Sequence, residues 1–542
     1  MKTSAPAAFE AIAKAHLAES WERYPERASA LGLADFNSRL GKNSPDVHRE
    51  EAAADAATLA KVEALPGSAF SGDDWLDRRA FLSELRTSRL FATTFPRWQD
   101  NPQVHCDAAV SSIFDLVSRH TSNLASVAPA INERLRLLPS FLKEGGRCLN
   151  RPIPLWTALA SQSCSGAIEF LDGLAPELER VSKSRTAPLI AGTKQAFADY
   201  AKAASRKAPG KKSGFAIGTD AFEFLIRERL GLDWSLGEAR AEGARLVAES
   251  RDAVNREARR LGYRDARSAM EDFSGRWDPG VSLLEAYRKT TSELRTLIQK
   301  RGLATLPPNE RLDVLPAPPF LRHQFPTAAY SAPPPFSKSQ RGIFWVNDLS
   351  LGITNPELRA REIRQHFGLE LTSAHEAYPG HHLQFALQNR HRSKLRRIFA
   401  HSIFYEGWTM WCEEFVVSEG LVNHPAARLI QLHDTLWRAC RIVIDCGLHS
   451  GEMTPSAAAR FLVDNVGFTP ARARGDVNWY TSAPTVPMSY LLGRLEVEKL
   501  HTRFVNGEGW SLKKFNDWML SHGAVPWSWI LQIRPASMMH CR

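Results

Sequence analysis

The sequence predicts a mainly α-helical fold with one small β element, and three observations support this. Apolar residues recur every three or four positions through most of the chain, with charged residues between them. A proline-rich stretch at residues 307–335 interrupts that pattern. A short run of apolar and aromatic residues follows at 342–347 and is typical of a β-strand.

The first 300 residues are predicted to form one helix after another, separated by short breakers such as Pro66-Gly67 and Pro209-Gly210. The clearest helical segments are 49–64, 74–88, 127–144, 235–261 and 282–300. The first twenty residues lack the apolar core and cleavage site of a signal peptide, so we interpret them as an amphipathic helix. No run of about 18 uninterrupted apolar residues occurs, so no transmembrane span is predicted.

The stretch 307–335 holds nine prolines and cannot be helical, so an extended path is expected. The strand at Gly342 to Asn347 is predicted to be an edge that pairs with extended substrate backbone. Helices resume with Asn355 as N-cap and Pro356 as first helical residue. We therefore divide the chain into a helical part (1–302), a proline-rich part with the β element (303–350) and a second helical part (351–542), within one compact unit.

Composition excludes several classes of protein. Of the 542 residues, 44% are hydrophobic and 24% are charged, as in a soluble globular protein with a large core. The net charge of +10 is spread over arginine-rich helix faces, and no nucleic-acid-binding motif accompanies it, which favours a solvated basic surface. The seven cysteines are scattered without a CxxC pair, which predicts reduced thiols and a cytoplasmic location.

Three of the chain's 17 histidines fall in the segment His375-Glu376-Ala377-Tyr378-Pro379-Gly380-His381-His382. A His-Glu pair on a helix, with another histidine further along the same face, is the zincin arrangement. In it two imidazoles bind Zn²⁺ and the glutamate accepts a proton from the activated water. This segment is the first candidate for a catalytic site.

The spacing of these histidines departs from the usual one, in which the second ligand lies four residues after the first. Here that position is Pro379. On a straight helix His382 would share the face of His375 but lie about 10 Å away along the axis, too far for one zinc ion to bind both at about 2.1 Å. A bulge or kink at Pro379-Gly380 would bring His381 or His382 back to the metal, and both remain candidates.

Further candidate residues lie on later segments. Glu406 follows His375 by 31 residues and suits a second helix packed on the first, which makes it the third candidate ligand. Glu413 lies on the same helical face as Glu406 and could orient a ligating imidazole. Three polar residues spaced four apart share one helix face: Arg441, Asp445 and His449.

Together these segments resemble a bacterial family known as domain of unknown function 885, whose members are regarded as zincin-like metallopeptidases. Residues 375–384 match its motif His-Glu-x-x-Pro-Gly-His-His-Leu-Gln, and Glu406-Gly407-Trp408 with Glu413 match a second motif. A third motif is matched by Arg441, Asp445, Gly447, Leu448 and His449, and a fourth by Tyr490 and Gly493. The resemblance spans nearly the whole chain and implies a helical, bowl-like peptidase architecture with a deep channel.

The chain departs from the family pattern just before Tyr490. Where the family usually has Arg-Tyr and then Pro-Gly-Gln-Ala, this chain has Trp479-Tyr480 and then Pro484-Thr485-Val486-Pro487. This stretch is expected to line the substrate channel. The departure therefore concerns the substrate more than the metal chemistry.

The resemblance and the spacing together assign roles. His375, either His381 or His382, and Glu406 are predicted to hold one Zn²⁺ per chain. Glu376 is the predicted general base and then general acid, and Tyr490 or His449 the donor to the oxyanion. Asp445 would orient His449, and Arg441 would bind a substrate carboxylate or Glu413.

The predicted function is zinc-dependent hydrolysis of small peptides or of a peptide-like biosynthetic intermediate. The alternative is a catalytically silent relative that binds peptides, which the altered stretch 479–487 favours. Neither nucleic acid nor membrane is expected as a partner. The sequence does not predict the oligomeric state, the substrate's identity or the end from which a peptide would be cleaved.

Overall fold

The computed structural model describes residues 4–182, 185–318, 322, 325 and 327–533. The chain forms two compact units. The first consists of Met1–Phe215, Pro318–Leu321 and Pro334–Lys338, and the second of Ala216–Ala317, Arg322–Pro333 and Ser339–Arg542. The three-part division of the chain at 302 and 350 stays a prediction.

The first unit is built from helices, most of which begin at a proline or after a serine cap. The predicted helices 49–64, 74–88 and 127–144 correspond to the helices Pro45–Glu63, Gly72–Arg89 and Ala128–Cys148. Its helices are α1 (Ala5–Arg23), α2 (Pro25–Ala30), α3 (Pro45–Glu63), α4 (Gly72–Arg89), α5 (Arg97–Asp100), α6 (Gln103–Arg119), α7 (Ala128–Cys148), α8 (Pro154–Val181) and α9 (Ala187–Ser205), with short helical turns at Ala34–Phe36, Gly67–Ala69, Leu90–Thr94 and Leu124–Ser126.

The second unit carries the remaining helices and the sheet. Its helices are α10 (Thr219–Leu225), α11 (Leu236–Arg260), α12 (Ala266–Arg276), α13 (Leu283–Lys300), α14 (Pro356–Arg364), α15 (Leu369–Glu376), α16 (His381–Gln388), α17 (Lys394–Ile398), α18 (Ser402–Ser418), α19 (Ala427–Ser450), α20 (Pro455–Val466), α21 (Pro470–Tyr480), α22 (Val486–His501), α23 (Leu512–Leu520) and α24 (Trp527–Gln532), with π-helical turns at Ile226–Leu230 and Thr502–Gly507. The predicted cap at Asn355 is confirmed, because its side chain accepts from the backbone of Glu357 and Leu358.

The β element is a three-stranded sheet of β1 (Glu310–Pro316), β2 (Ala328–Ser331) and β3 (Gln340–Val346) in the order β1-β3-β2. β1 runs parallel to β3, with Glu310 opposite Gln340, and β2 runs antiparallel to it, with Tyr330 opposite Phe344. The prediction that the 342–347 strand is an edge is therefore wrong. β3 is the middle strand, because the proline-rich segment that precedes it contributes both of its neighbours, β1 and β2.

The prediction of a mainly α fold with a small β element is confirmed. In the second unit, α18 packs along α22, and α19 packs against both α11 and α22. Six cysteines, all but Cys541, lie within the described residues, and each is a buried free thiol. Cys541 lies outside the described residues.

Candidate metal centre

The helix that carries His375 breaks at the predicted place. α15 ends at Glu376, α16 begins at His381, and the intervening Tyr378–Pro379 peptide is cis. The Gly380 amide donates to the Ala374 carbonyl at 2.9 Å. A Cβ on Gly380 would stand 1.9 Å from the carbonyl oxygen of His375, so only glycine permits this return of the chain. The break brings the His375 and His381 rings to 4.9 Å between centroids.

His375, His381 and Glu406 form a buried group whose potential ligand atoms all lie within 4.8 Å of one another. Glu406 Oε2 lies 3.5 Å from Nε2 of each histidine. Two ligands bound to one tetrahedral zinc ion at about 2.1 Å are about 3.4 Å apart, so these separations suit a shared ion. Within the described residues, this is the one such group of three His, Cys, Asp or Glu side chains.

The ligand set also fits zinc by its chemistry. Two imidazoles and one carboxylate are a common catalytic zinc set, which leaves a fourth position free for water or substrate. Glu406 Oε2 is buried and has no hydrogen-bond partner in the described residues. A buried carboxylate oxygen without a donor is costly unless a cation or another group satisfies it.

Glu406 reaches this position because α18 and α22 cross at very short range. A Cβ on Gly407 would lie 2.4 Å from the carbonyl carbon of Gly493, and one on Gly493 would lie 2.1 Å from the carbonyl oxygen of Ile403. Both positions therefore require glycine. The crossing sets Glu406 on one helix beside Tyr490 on the other, and the two side chains interact.

Glu413 contacts the His375 ring at the nitrogen that faces away from Glu406. Its Oε1 lies 2.7 Å from Nδ1 of His375, and the other ring nitrogen of His375, Nε2, faces Glu406. Arg438 lies 3.5 Å from the same Glu413 oxygen. Burial alone would lower the pKa of His375, but the Glu406 and Glu413 carboxylates outweigh it and raise that pKa to about 10. The site thus attracts positive charge strongly, as a cation site must.

His382, the other candidate ligand, is not brought to this group. Its Nε2 lies 2.8 Å from Glu310 on β1, and its Nδ1 lies 3.0 Å from the Tyr330 hydroxyl on β2. With both ring nitrogens in hydrogen bonds, no lone pair is left for a metal. Gly342 on β3 makes room for this contact, since a Cβ there would lie 2.6 Å from His382 Nδ1.

The His382 network supports the centre indirectly. Tyr378 and Arg295 also donate to the Glu310 carboxylate. Burial alone would raise the pKa of Glu310, but these donors outweigh it and lower that pKa to about 2. The ring of Tyr330 stacks on His381 at 6.1 Å between centroids. The sheet is thereby tied to the second ligand.

Glu376 and Tyr490 flank the group. Burial raises the pKa of Glu376 above its ordinary value, although the nearby His375 and His381 oppose this. Burial also raises the pKa of Tyr490, and the Glu406 carboxylate adds to the effect. The Tyr490 ring stacks on His375 at 6.2 Å between centroids. Glu376 is therefore disposed to take up a proton, and Tyr490 stays protonated and can donate a hydrogen bond.

The three polar residues of α19 are not brought to the metal group. His449 is fully buried, with Nε2 3.1 Å from the Tyr480 carbonyl and its ring stacked on Phe222. Asp445 lies 3.6 Å from His449 and accepts from the Thr485 and Met488 amides, so it anchors the start of α22. Arg441 stacks on Tyr490, and it is Arg438 that reaches Glu413.

The sequence did not predict that Glu310, Tyr378 and Arg438 contribute to the centre. Glu310 and Tyr378 carry no helical signal and meet His382 only because the sheet folds onto α16. Arg438 lies three residues before Arg441, so helix periodicity could have placed it on the same face.

A family model described as "Bacterial protein of unknown function (DUF885)" matches residues 25–532. No curated protein matches the chain.

Two solved structures have the same fold. A protein from Shewanella oneidensis, described as a "putative lipoprotein of unknown function", superposes with a TM-score of 0.76 at 19% identity, over 97% of this chain and 99% of its own. A "putative lipoprotein" from Colwellia psychrerythraea superposes with a TM-score of 0.69 at 18% identity, over 97% and 98% of the two chains.

The prediction of a cytoplasmic location is wrong. It rested on the scattered free cysteines, whereas both of these solved proteins are described as lipoproteins. Among the helices that the structure describes, none is long and apolar enough to cross a membrane.

Proposed function

The chain belongs to the DUF885 family of bacterial proteins of unknown function, and from that premise we propose that it is a zinc-dependent hydrolase of peptide or other amide bonds. The observation that carries the proposal is the buried group of His375, His381 and Glu406, in which Glu406 Oε2 lies 3.5 Å from both imidazoles. Those three residues would hold the ion.

A zinc ion in this site would activate a water molecule and polarise the scissile carbonyl. Glu376, next to His375, would accept the proton of the attacking water and pass it to the departing amine. The C–N bond breaks as the new C–O bond forms, and water supplies both the hydroxyl and the proton. Tyr490, whose phenol is held as a donor, would stabilise the oxyanion.

The surrounding residues would fix this arrangement. Glu413 would hold His375 in the tautomer that presents Nε2 to the ion. Tyr330 stacks on His381 and restricts its ring. His382 would stay outside the ligand set, since its hydrogen bonds to Tyr330 and Glu310 link α16 to the sheet.

The test is Glu376→Gln, assayed by mass spectrometry on a pool of short peptides with zinc-loaded protein. Since a general base typically contributes about 10²- to 10⁴-fold, we expect turnover to fall by at least about 100-fold while zinc content stays near one per chain. Glu370→Gln, at the other end of α15, is the matched control and should keep its activity. A Glu376→Gln protein that cleaves like the parent would rule out this base. A parent that holds zinc without cleaving any peptide would favour the silent peptide-binding relative.

A further inference from the structure

The Arg441 guanidinium lies in a cage of aromatic rings beside the metal centre. Only 6% of the residue is exposed. Its Nε donates to the Tyr480 hydroxyl at 2.8 Å. Its Cζ lies 4.2 to 5.5 Å from the ring centroids of four aromatic residues: Trp437, Trp479, Tyr480 and Tyr490.

Arg441 has no carboxylate in direct contact among the described residues, although Asp476 acts on it electrostatically at longer range. Its Nη1 is buried without a hydrogen-bond partner, and none of the described carboxylates lies within ion-pair distance of it. The nearest link to an acid runs through the Tyr480 hydroxyl, which donates to Asp476 at 2.8 Å. Because a buried charge is costly unless it is paired, the cage is better suited to an anion that arrives with a ligand.

The neighbouring Arg438 shows the ordinary alternative. It lies three residues earlier and also stacks on Trp437, with its Cζ 3.9 Å from the ring centroid. Unlike Arg441, it has carboxylates of Glu413 and Asp434 at 3.5 Å. Both arginines have buried nitrogens without a hydrogen-bond partner, but Arg438 has two carboxylates beside it and Arg441 has none among the described residues.

The position of the cage relates it to the metal centre. Tyr490 lies between the two: its ring is 4.5 Å from Arg441 Cζ on one side and stacks on His375 at 6.2 Å. Trp479 forms part of the wall and is 38% exposed, so the cage borders solvent there. These two separations place Arg441 Cζ no more than about 11 Å from the His375 ring. One or two residues of extended chain at about 3.5 Å each, with a contact at either end, would span that distance.

We propose that Arg441 binds the free α-carboxylate of the substrate, so that the protein removes one or two residues from the carboxyl end of short peptides. This inference rests on the proposed hydrolase function. A guanidinium donates strong charge-assisted hydrogen bonds to a carboxylate, and Nη1 is the free donor here. The aromatic walls exclude water and strengthen the pairing.

The experiment compares two pools of N-acetylated tetrapeptides that differ only in ending with a free carboxylate or with an amide. With the zinc-loaded parent we expect the acid pool to be cleaved roughly 10- to 150-fold more efficiently, the worth of a hydrogen bond to a charged group. Arg441→Met should abolish this preference by loss of acid cleavage, and Arg441→Lys should restore part of it. Arg472→Met is the matched control, because Arg472 stacks on Trp437 and Phe468; it should keep the preference.

A second measurement does not depend on turnover. In the Glu376→Gln background, the acid pool should raise the melting temperature more than the amide pool, and adding Arg441→Met should remove that difference. Zinc content and the melting temperature without peptide show whether each variant is folded.

Failure of this inference can be told from failure of the function. Equal cleavage of both pools by the parent, or an acid preference that survives Arg441→Met, would overturn the carboxylate site and leave the hydrolase intact. The former result would leave Arg441 as a support for the Tyr490 ring. A zinc-loaded parent that cleaves neither pool would overturn both proposals.

Discussion

At the residue scale, the centre depends on which imidazole faces the carboxylate. The sequence indicates His375 and Glu406 as candidate ligands but does not distinguish His381 from His382. The path of the backbone between Glu376 and His381 decides which of the two imidazoles faces Glu406. The structure places His381 Nε2 3.5 Å from Glu406 and engages both nitrogens of His382 elsewhere. The adjacent residues His381 and His382 therefore have different contacts, which the residue spacing of a straight helix could not predict.

The role of Glu413 gives a prediction at this scale. Glu413→Gln keeps an acceptor near His375 Nδ1 but removes the negative charge that makes the imidazole a better ligand. We expect zinc to bind about 10- to 100-fold more weakly, measured by competition with a chromophoric chelator.

Glu414→Gln is the matched control for that substitution. The Glu414 carboxylate pairs with Arg428 and Arg494 and does not contact His375. Its zinc affinity should equal that of the parent. If Glu413→Gln binds zinc as tightly as Glu414→Gln does, Glu413 has no part in holding the ligand.

At the scale of elements, helices were predictable and their crossings were not. Periodicity and capping place the helices at 235–261 and 282–300 within a residue of α11 and α13. Strand pairing is a long-range property, so the position of β3 between β1 and β2 escaped prediction. The same holds for the contact between α18 and α22, since only their glycines hint at it.

That helix crossing leads to a prediction for Gly493→Ala. Its new Cβ would lie 2.1 Å from the Ile403 carbonyl oxygen and 2.7 Å from the Gly407 Cα, atoms that cannot move independently of their helix. We expect a loss of about 1–3 kcal/mol in the free energy of unfolding, measured with urea, together with weaker zinc binding because Glu406 is displaced.

Gly475→Ala provides the comparison on an open helix surface. A Cβ there meets nothing within 4 Å, and alanine is the better helix former. This variant should be more stable than the parent by about 0.5–1 kcal/mol. Should both glycines tolerate alanine equally, the close crossing would not be a determinant of the site.

At the scale of the whole molecule, the fold is shared more widely than the sequence is. The family model covers residues 25–532, and the fold recurs at under 20% identity in two bacterial proteins, so the architecture tolerates wide sequence change. Composition failed to predict the location, because free cysteines reflect reactivity and burial as much as compartment. The sequence indicates Arg441 as a candidate for a substrate carboxylate but does not predict the aromatic rings around it, because these come from α19, α21 and α22 together.

The central claim is that three side chains share one divalent cation, and an anomalous diffraction map recorded at the zinc edge tests it most directly. Crystals of zinc-loaded protein should show one peak about 2.1 Å from His375 Nε2, His381 Nε2 and a Glu406 oxygen, and chelator-treated crystals should lose it. No peak at that position despite ample zinc, or a peak bound by His382 in place of His381, would contradict the account.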